Sequence, residues 1–173
     1  MPFDEIDFTI ADSPLGRLLL AATARGVCCV MIGDSDRMLE KDLRKEYQHA
    51  VVRRNDRLLT AQVRSVLEHV RGKTPHVELP TDLRATTFQR RVWRQLQAIP
   101  YGETRTYREV AAAIGKPTAT RAVARACATN PVALLIPCHR VIRTDGSMGG
   151  YRWGIPRKGK LLEQERNRVR QGR

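Results

Sequence analysis

Apolar residues in the first third of the chain come in short runs broken by turn residues. Phe8-Thr9-Ile10 is followed by Asp12-Ser13-Pro14-Leu15-Gly16, then by the run 17–22, then by Gly26 and the apolar stretch 27–32. Runs of that length bounded by Gly, Pro and Asp predict the strands of a small antiparallel sheet. The period then changes. Residues 36–47 and 57–70 read as helices, with Leu58, Ala61, Val66 and Val70 falling near one face. Residues 76–79 read as a short extended segment, and Pro80-Thr81-Asp82-Leu83 as a linker.

Beyond the linker the punctuation is helical. Thr86-Thr87-Phe88-Gln89 has the form of a capping box, in which a hydroxyl and an amide side chain satisfy the free N–H groups of a helix start. Phe88, Val92, Leu96 and Ile99 then repeat at helical spacing until Pro100-Tyr101-Gly102 stops the helix. Thr106-Tyr107-Arg108-Glu109 is a second capping box, opening a short helix through Ile114. Gly115-Lys116-Pro117 ends it, and Thr118 is expected to cap a third helix running to about Asn130. Two short helices joined by a glycine-containing turn make a helix-turn-helix pattern. Residues 132–136 form a buried apolar run, and a last helix is expected over 156–168. The expected fold class is therefore α/β (α+β). A small N-terminal antiparallel sheet with helices occupies residues 1–81, and a helical, helix-turn-helix domain residues 82–173.

Charge alters this picture once it is located. Residues 1–81 hold 12 Lys/Arg and 12 Asp/Glu, whereas residues 82–173 hold 19 basic and 6 acidic residues, so the net +13 lies entirely in the second half. Such an excess, on a chain of pI about 10.5, points to a polyanion, with nucleic acid ahead of an anionic membrane. No run approaches the roughly 18 apolar residues of a membrane span. The acidic start Met1-Pro2-Phe3-Asp4-Glu5-Ile6-Asp7 lacks an apolar signal core. A cytoplasmic, nucleoid-associated protein is expected. The helix from Thr120 is rich in alanine and carries Arg121 and Arg125. Close packing through small residues and close approach to a groove both explain that composition, and the charge asymmetry favours the groove.

Four cysteines, Cys28, Cys29, Cys127 and Cys138, are too few and too irregularly spaced for a disulfide framework or a zinc site. Cys28 and Cys29 sit in an apolar run and read as strand packing. Cys138 differs. Pro137 fixes the backbone before it and is expected to bring it out of the buried run. Arg140, Arg143 and the basic half are expected to favour its thiolate, the reactive species. His139 offers a base, acting through a water because adjacent side chains seldom bond directly. A histidine in that role needs a partner on its other nitrogen. Glu163 and Glu165 are the candidates, and Glu165 is preferred because it shares a helical face with Leu161 and Leu162. In Asp145-Gly146-Ser147-Met148-Gly149-Gly150-Tyr151-Arg152-Trp153-Gly154, glycines allow a flat ligand to approach and Tyr151 offers a stacking face, as in a nucleobase pocket.

Pro137-Cys138-His139-Arg140-Val141 resembles the O6-alkylguanine-DNA alkyltransferase family. So do Arg121-Ala122-Val123, Asn130-Pro131, Ile99-Pro100-Tyr101-Gly102-Glu103-Thr104 and Gly150-Tyr151-Arg152-Trp153-Gly154. The likeness runs from about Phe8 to Glu165. It implies single-use repair, in which duplex DNA is bound through the minor groove and the damaged guanine is flipped out. The Cys138 sulfur then takes the alkyl group irreversibly. It further implies a Cys138–His139–Glu165 relay, Asn130 bridging the recognition helix and the reactive strand, and Tyr107 protonating the leaving purine. Cys127, Val141, Met148, Tyr151, Arg152 and Trp153 are expected at the base, and Thr120, Arg121, Ala122, Arg125 and Thr144 at the DNA, with Arg121 filling the vacated stack. No cofactor is implied. No metal is expected either, because Asp4, Thr23 and Cys28 stand where some relatives carry zinc ligands. Trp153, where the human-type pocket has glycine although part of the family shares the tryptophan, is expected to narrow the pocket and favour methyl over benzyl groups. The expected partner is duplex DNA carrying O6-alkylguanine, bound by a monomer, with cooperativity left open. A DNA-binding protein without alkyl transfer and a cysteine hydrolase are the rival readings.

Overall fold

The computed structural model describes residues 3–172. Met1 and Pro2 of the acidic start, and Arg173, lie outside the described residues. The chain divides into two compact units, one built from residues up to Leu83 together with Pro131–Leu135, the other from Arg84–Asn130 and Ile136 onward. The mixed α/β architecture expected from the sequence is the one adopted.

In the first unit, β1 (Glu5–Ser13), β2 (Gly16–Thr23) and β3 (Gly26–Gly33) form an antiparallel meander. Ser13 makes the first turn: its hydroxyl accepts from the Leu15 amide (3.1 Å) and donates to the Gly16 carbonyl (2.7 Å). Helix α1 (Asp36–Glu46), capped by the Ser35 side chain, buries Leu39 and Leu43. These pack in one core with Ile6, Phe8, Ile10, Leu19, Cys28, Cys29 and Met31. The sheet is not purely antiparallel. A fourth strand, β4 (Val51–Arg54), joins β1 in parallel, giving the order β3-β2-β1-β4. Its pattern of one buried residue among four carries no alternation from which a strand is read. Helix α2 (Thr60–Val70) starts three residues later than expected, because Asn55 accepts from the Leu58 amide (3.2 Å) and holds the preceding residues in a turn.

The second unit begins with α3 (Thr87–Gln97), opened by a complete capping box at Thr86. A two-residue strand β5 (Arg105–Thr106) leads into α4 (Tyr107–Ala113), opened by the Thr106–Glu109 box. The end of α4 is a Schellman turn: the Lys116 amide donates to Ala111 (3.0 Å) and Gly115 to Ala112 (2.9 Å), with Gly115 at φ 72°. Helix α5 (Thr120–Ala128) follows, completing the helix-turn-helix. Thr118 does not cap it. The N-cap is Ala119, without a side-chain bond, because Ala119 is drawn into a turn on the Lys116 carbonyl (2.9 Å). Trp93 of α3 donates its indole N–H to the Ala126 carbonyl (2.8 Å), locking α3 to α5.

The run after Asn130 is not a strand of regular length. Pro131–Leu135 belong to the first unit, where Val30 donates to Pro131 (2.9 Å) and accepts from Ala133 (3.3 Å). Leu134, at φ 74°, is the single non-glycine residue at positive φ among those described. The chain then re-enters the second unit through a short 3-10 turn, Cys138–Arg140, and β6 (Val141–Ile142), which pairs in parallel with β5. Helix α6 (Ile155–Arg170) closes the unit with Pro156 in its first turn. Among the described residues no helix is long and apolar enough to cross a membrane.

Candidate active site

The site forms where the 3-10 turn faces α6. Cys138 and His139 are adjacent in that turn, and α6 turns Lys158, Leu161, Leu162 and Glu165 inward on one face. The thiol is 5% exposed, His139 0% and Glu165 1%. Imidazole Nε2 and Glu165 Oε1 are 2.6 Å apart. Because the carboxylate is an acceptor, the nitrogen facing it carries the hydrogen. Nδ1 is then left as a free lone pair, and it has no hydrogen-bond partner among the described residues. Asn130 completes the group. Its amide donates to the Ile136 carbonyl (2.8 Å) and to the Cys138 sulfur (3.4 Å), stapling the end of α5 to the residue two before the thiol.

Glu165 is gripped from three further directions. Arg140 Nε donates to Oε2 (2.9 Å) and its Nη2 to Oε1 (3.1 Å), while the Gly102 amide donates to Oε2 (3.1 Å). Arg140 is itself buried, bonded to the Ile99 carbonyl (2.8 Å) and lying 5.5 Å from the Tyr101 ring centroid. Burial alone would push the Glu165 carboxyl up. The hydrogen bonds of His139 and Arg140, with the Arg140 charge, outweigh it and hold the acid at about 2. His139 is pushed down, by burial first and then by the charges of Arg140 and Lys158, against the pull of Glu165. The Cys138 thiol is pushed up by burial, opposed by the Asn130 bond and the charges of Lys158 and Arg152.

Those directions correct two expectations. Pro137 does not bring Cys138 to the surface, because the turn folds back on itself: the Cys138 amide bonds the Ile136 carbonyl (2.8 Å) and Arg140 bonds Pro137 (3.0 Å). Nor does the basic surrounding favour a resting thiolate. Arg140 is committed to Glu165, and desolvation outweighs the remaining positive charge, so the free protein holds a neutral thiol beside a neutral imidazole.

Around the thiol, Tyr107 is the first residue of α4. Its phenol is pushed up to about 12, by burial first and then by Cys127 and Cys138, so it is a proton donor at neutral pH. Gly149 lies against its ring. A Cβ there would sit 3.1 Å from the Tyr107 oxygen, and the backbone is at φ 68°, so the approach requires glycine. Tyr151 packs edge-on against Trp153 at 5.3 Å, and the Arg152 guanidinium lies 5.4 Å from the Trp153 ring centroid. Lys158 was not among the residues singled out from sequence. Fully buried, it donates to the carbonyls of Val141 (2.6 Å), Met148 and Gly150 (3.2 Å), tying the glycine-rich loop to the reactive turn. Its position two turns before Glu165, on the same face, is the signal that would have found it.

A family model described as the 6-O-methylguanine DNA methyltransferase DNA-binding domain matches residues 87–167. The methylated-DNA–protein-cysteine methyltransferase of Mycolicibacterium paratuberculosis is 40% identical over 161 residues, covering 93% of each chain. The chain belongs to the O6-alkylguanine-DNA alkyltransferase family. Its likeness to the bifunctional transcriptional activator and DNA repair enzyme Ada of Escherichia coli is 44% over 160 residues, or 92% of this chain, yet the match spans only 45% of Ada. Among solved structures, the O6-methylguanine methyltransferase of Mycobacterium tuberculosis superposes with a TM-score of 0.78 at 35% identity, covering 94% of both chains. The same organism's OGT in complex with DNA gives 0.77 at 36%, covering 95% of this chain and 94% of that one.

For this alkyltransferase-family chain, then, Cys138, His139, Glu165 and Asn130 converge, Tyr107 and Cys127 lie near the same sulfur, and Val141 and Met148 share the Lys158 ammonium. Arg121, Ala122 and Arg125 are exposed on α5, Thr120 is half-buried at its start, and Thr144 is exposed in the turn after β6. Thr23 donates its hydroxyl hydrogen to the Asp82 carboxylate (2.7 Å).

Proposed function

We propose that this chain repairs O6-alkylguanine in duplex DNA by moving the alkyl group onto its own Cys138, once per molecule. The observation that carries the reading is the buried group of Cys138, Asn130, His139 and Glu165, with His139 Nδ1 left as a lone pair. A resting thiol in a buried pocket is a poor nucleophile, so it needs a base that acts only as the reaction proceeds. His139 Nδ1 takes the sulfur proton through a water, and Glu165 stabilises the imidazolium through Nε2. A sulfur–carbon bond forms as the carbon–O6 bond breaks. The electron pair leaves with guanine, which Tyr107 protonates. General acid help of this kind contributes ~10²–10⁴-fold. The product is a thioether, and no group on the protein removes it.

The helix-turn-helix supplies the partner. Exposed Arg121 and Arg125 on α5 suit DNA phosphates and the gap left by a flipped base, in the minor groove by family pattern, with the nucleoid as the place of action. Flipping costs a few kcal/mol, least where a lesion has already weakened pairing. Tyr151 walls the base, Cys127 and Met148 line its pocket, and the backbone at Val141 and Arg152 reads its polar edge. The Val141 carbonyl, bonded by Lys158, keeps a second lone pair for this. Trp153, edge-on to Tyr151, narrows the pocket.

Intact-protein mass after mixing with duplex DNA bearing one O6-methylguanine tests the reading. One added methyl on the wild type, saturating at one per molecule and absent from Cys138→Ala, is the expected result. Tight lesion binding with no mass change would instead mark a DNA-binding protein without transfer.

A further inference from the structure

The segment Thr86–Asn130 carries Arg90, Arg91, Arg94, Arg105, Arg108, Lys116, Arg121 and Arg125 against only two acids, Glu103 and Glu109. Both acids are engaged: Glu103 pairs with Arg105 at 3.0 Å, and Glu109 closes the α4 capping box. On α3, Arg90 and Arg94 stand one turn apart, with Arg91 beside them, and all three are exposed. Among the described residues none of them has an acidic partner. The inward side of α3 is spent on Val92, Trp93 and Leu96, so this row contributes nothing to the core.

What places the row is a pair of bonds to the recognition helix. Gln89 Nε2 donates to the Thr129 hydroxyl (3.1 Å), and that hydroxyl donates to the Arg125 carbonyl (3.0 Å). Trp93 holds the next turn of α3 to Ala126. Arg90 follows Gln89 directly, and Arg125 precedes Thr129 by one turn. The cations of α3 therefore begin where those of α5 end. An unpaired arginine row costs self-repulsion within the unit and gains nothing from packing, which is the signature of a surface meant for an external anion.

We propose that Arg90 and Arg94 of α3 form a second phosphate-binding track, which holds the duplex flanking the lesion beside the α5 contacts. The track rests on the alkyltransferase reading and extends its DNA footprint. Its contacts are to phosphates, so it adds affinity without base preference and takes no part in the methyl transfer step.

The test is the salt dependence of binding to an undamaged duplex, together with single-turnover methyl transfer at saturating damaged DNA. Each phosphate contact contributes about 0.9 to the slope of log K against log salt. The double variant Arg90→Gln/Arg94→Gln should flatten that slope by about two contacts and leave the transfer rate at saturation unchanged. A charge-matched pair on the other unit, Arg57→Gln/Arg64→Gln, serves as control and should leave the slope near the wild-type value. Equal slopes for the two double variants would overturn the track. Wild-type protein that binds duplex in a salt-dependent way and accepts the methyl group keeps the underlying reading intact in that event. Wild-type protein that does neither overturns the reading itself.

Discussion

Glu165 is shared between two bases of different character. An imidazole is a weak base that a protein can hold neutral, whereas a guanidinium keeps its charge. Arg140 already neutralises the carboxylate, so a proton on His139 would add net charge to a dry cluster that also faces Lys158 and the Cys138 thiol. His139 thus rests neutral, its folded value below the ordinary 6.5. The unfolded chain binds that proton and the folded one does not. The contribution is therefore full above 6.5 and lost as pH falls, at up to about 1.4 kcal/mol per pH unit per proton. Urea midpoints should accordingly decline from pH 8 to pH 5. Removing the guanidinium in Arg140→Gln takes the permanent charge from a buried pair and leaves Glu165 only His139 and the Gly102 amide, a loss of up to about 3–5 kcal/mol. In that variant His139 should gain a proton on folding, with a folded value above 6.5. Its contribution is then present at low pH and lost as pH rises, so the midpoint should rise from pH 8 toward pH 6. A variant whose midpoint falls in parallel with the wild type would show that Arg140 does not set the His139 proton. The relay pair was legible in the sequence because Leu161, Leu162 and Glu165 share a helical face. Arg140 was read as a charge acting on the thiol and Lys158 was passed over, because buried cations are too rare for a sequence to suggest one bound to a carboxylate or to backbone carbonyls.

At the scale of elements, what could be read follows what is encoded locally. Both capping boxes, the Gly115 turn and the two helices they delimit are set by side chains within a few residues of one another. They stand where Thr86, Thr106 and Gly115 place them. The strand β4 was hidden, since parallel pairing with β1 comes from a crossover through α1 and leaves no mark on Val51-Val52-Arg53-Arg54. Thr118 resembled a cap in sequence, but the competing Lys116–Ala119 turn claimed the backbone first. The joint between α5 and the reactive turn depends on one side chain. Asn130→Ala would remove one of the two donors to the buried Ile136 carbonyl, leaving the Cys138 amide as the other, and release the Cys138 sulfur, a cost of about 0.5–1.5 kcal/mol in stability. Single-turnover methyl transfer should slow in Asn130→Ala even at temperatures where circular dichroism shows it fully folded. An unchanged rate in the folded variant would confine Asn130 to a scaffolding role.

Over the whole molecule, composition and connectivity divide the chain differently. Charge changes sharply near residue 82, with a balanced first half and a strongly basic second half. Packing does not respect that line, because Pro131–Leu135, far along the basic half, complete the first unit at Val30. All but Pro131 of those five residues are buried and apolar. A fragment starting at Arg84 should therefore expose them, binding more of a hydrophobic dye and unfolding at lower urea than the intact chain. A fragment indistinguishable from the intact chain in both respects would show that the detour is dispensable. The detour also bears on heredity. A genetic crossover at the linker, where composition invites one, would give the new sheet five residues shaped for the old one. Recombination that keeps both stretches from a single parent preserves the match, so the two units are best inherited as one cassette.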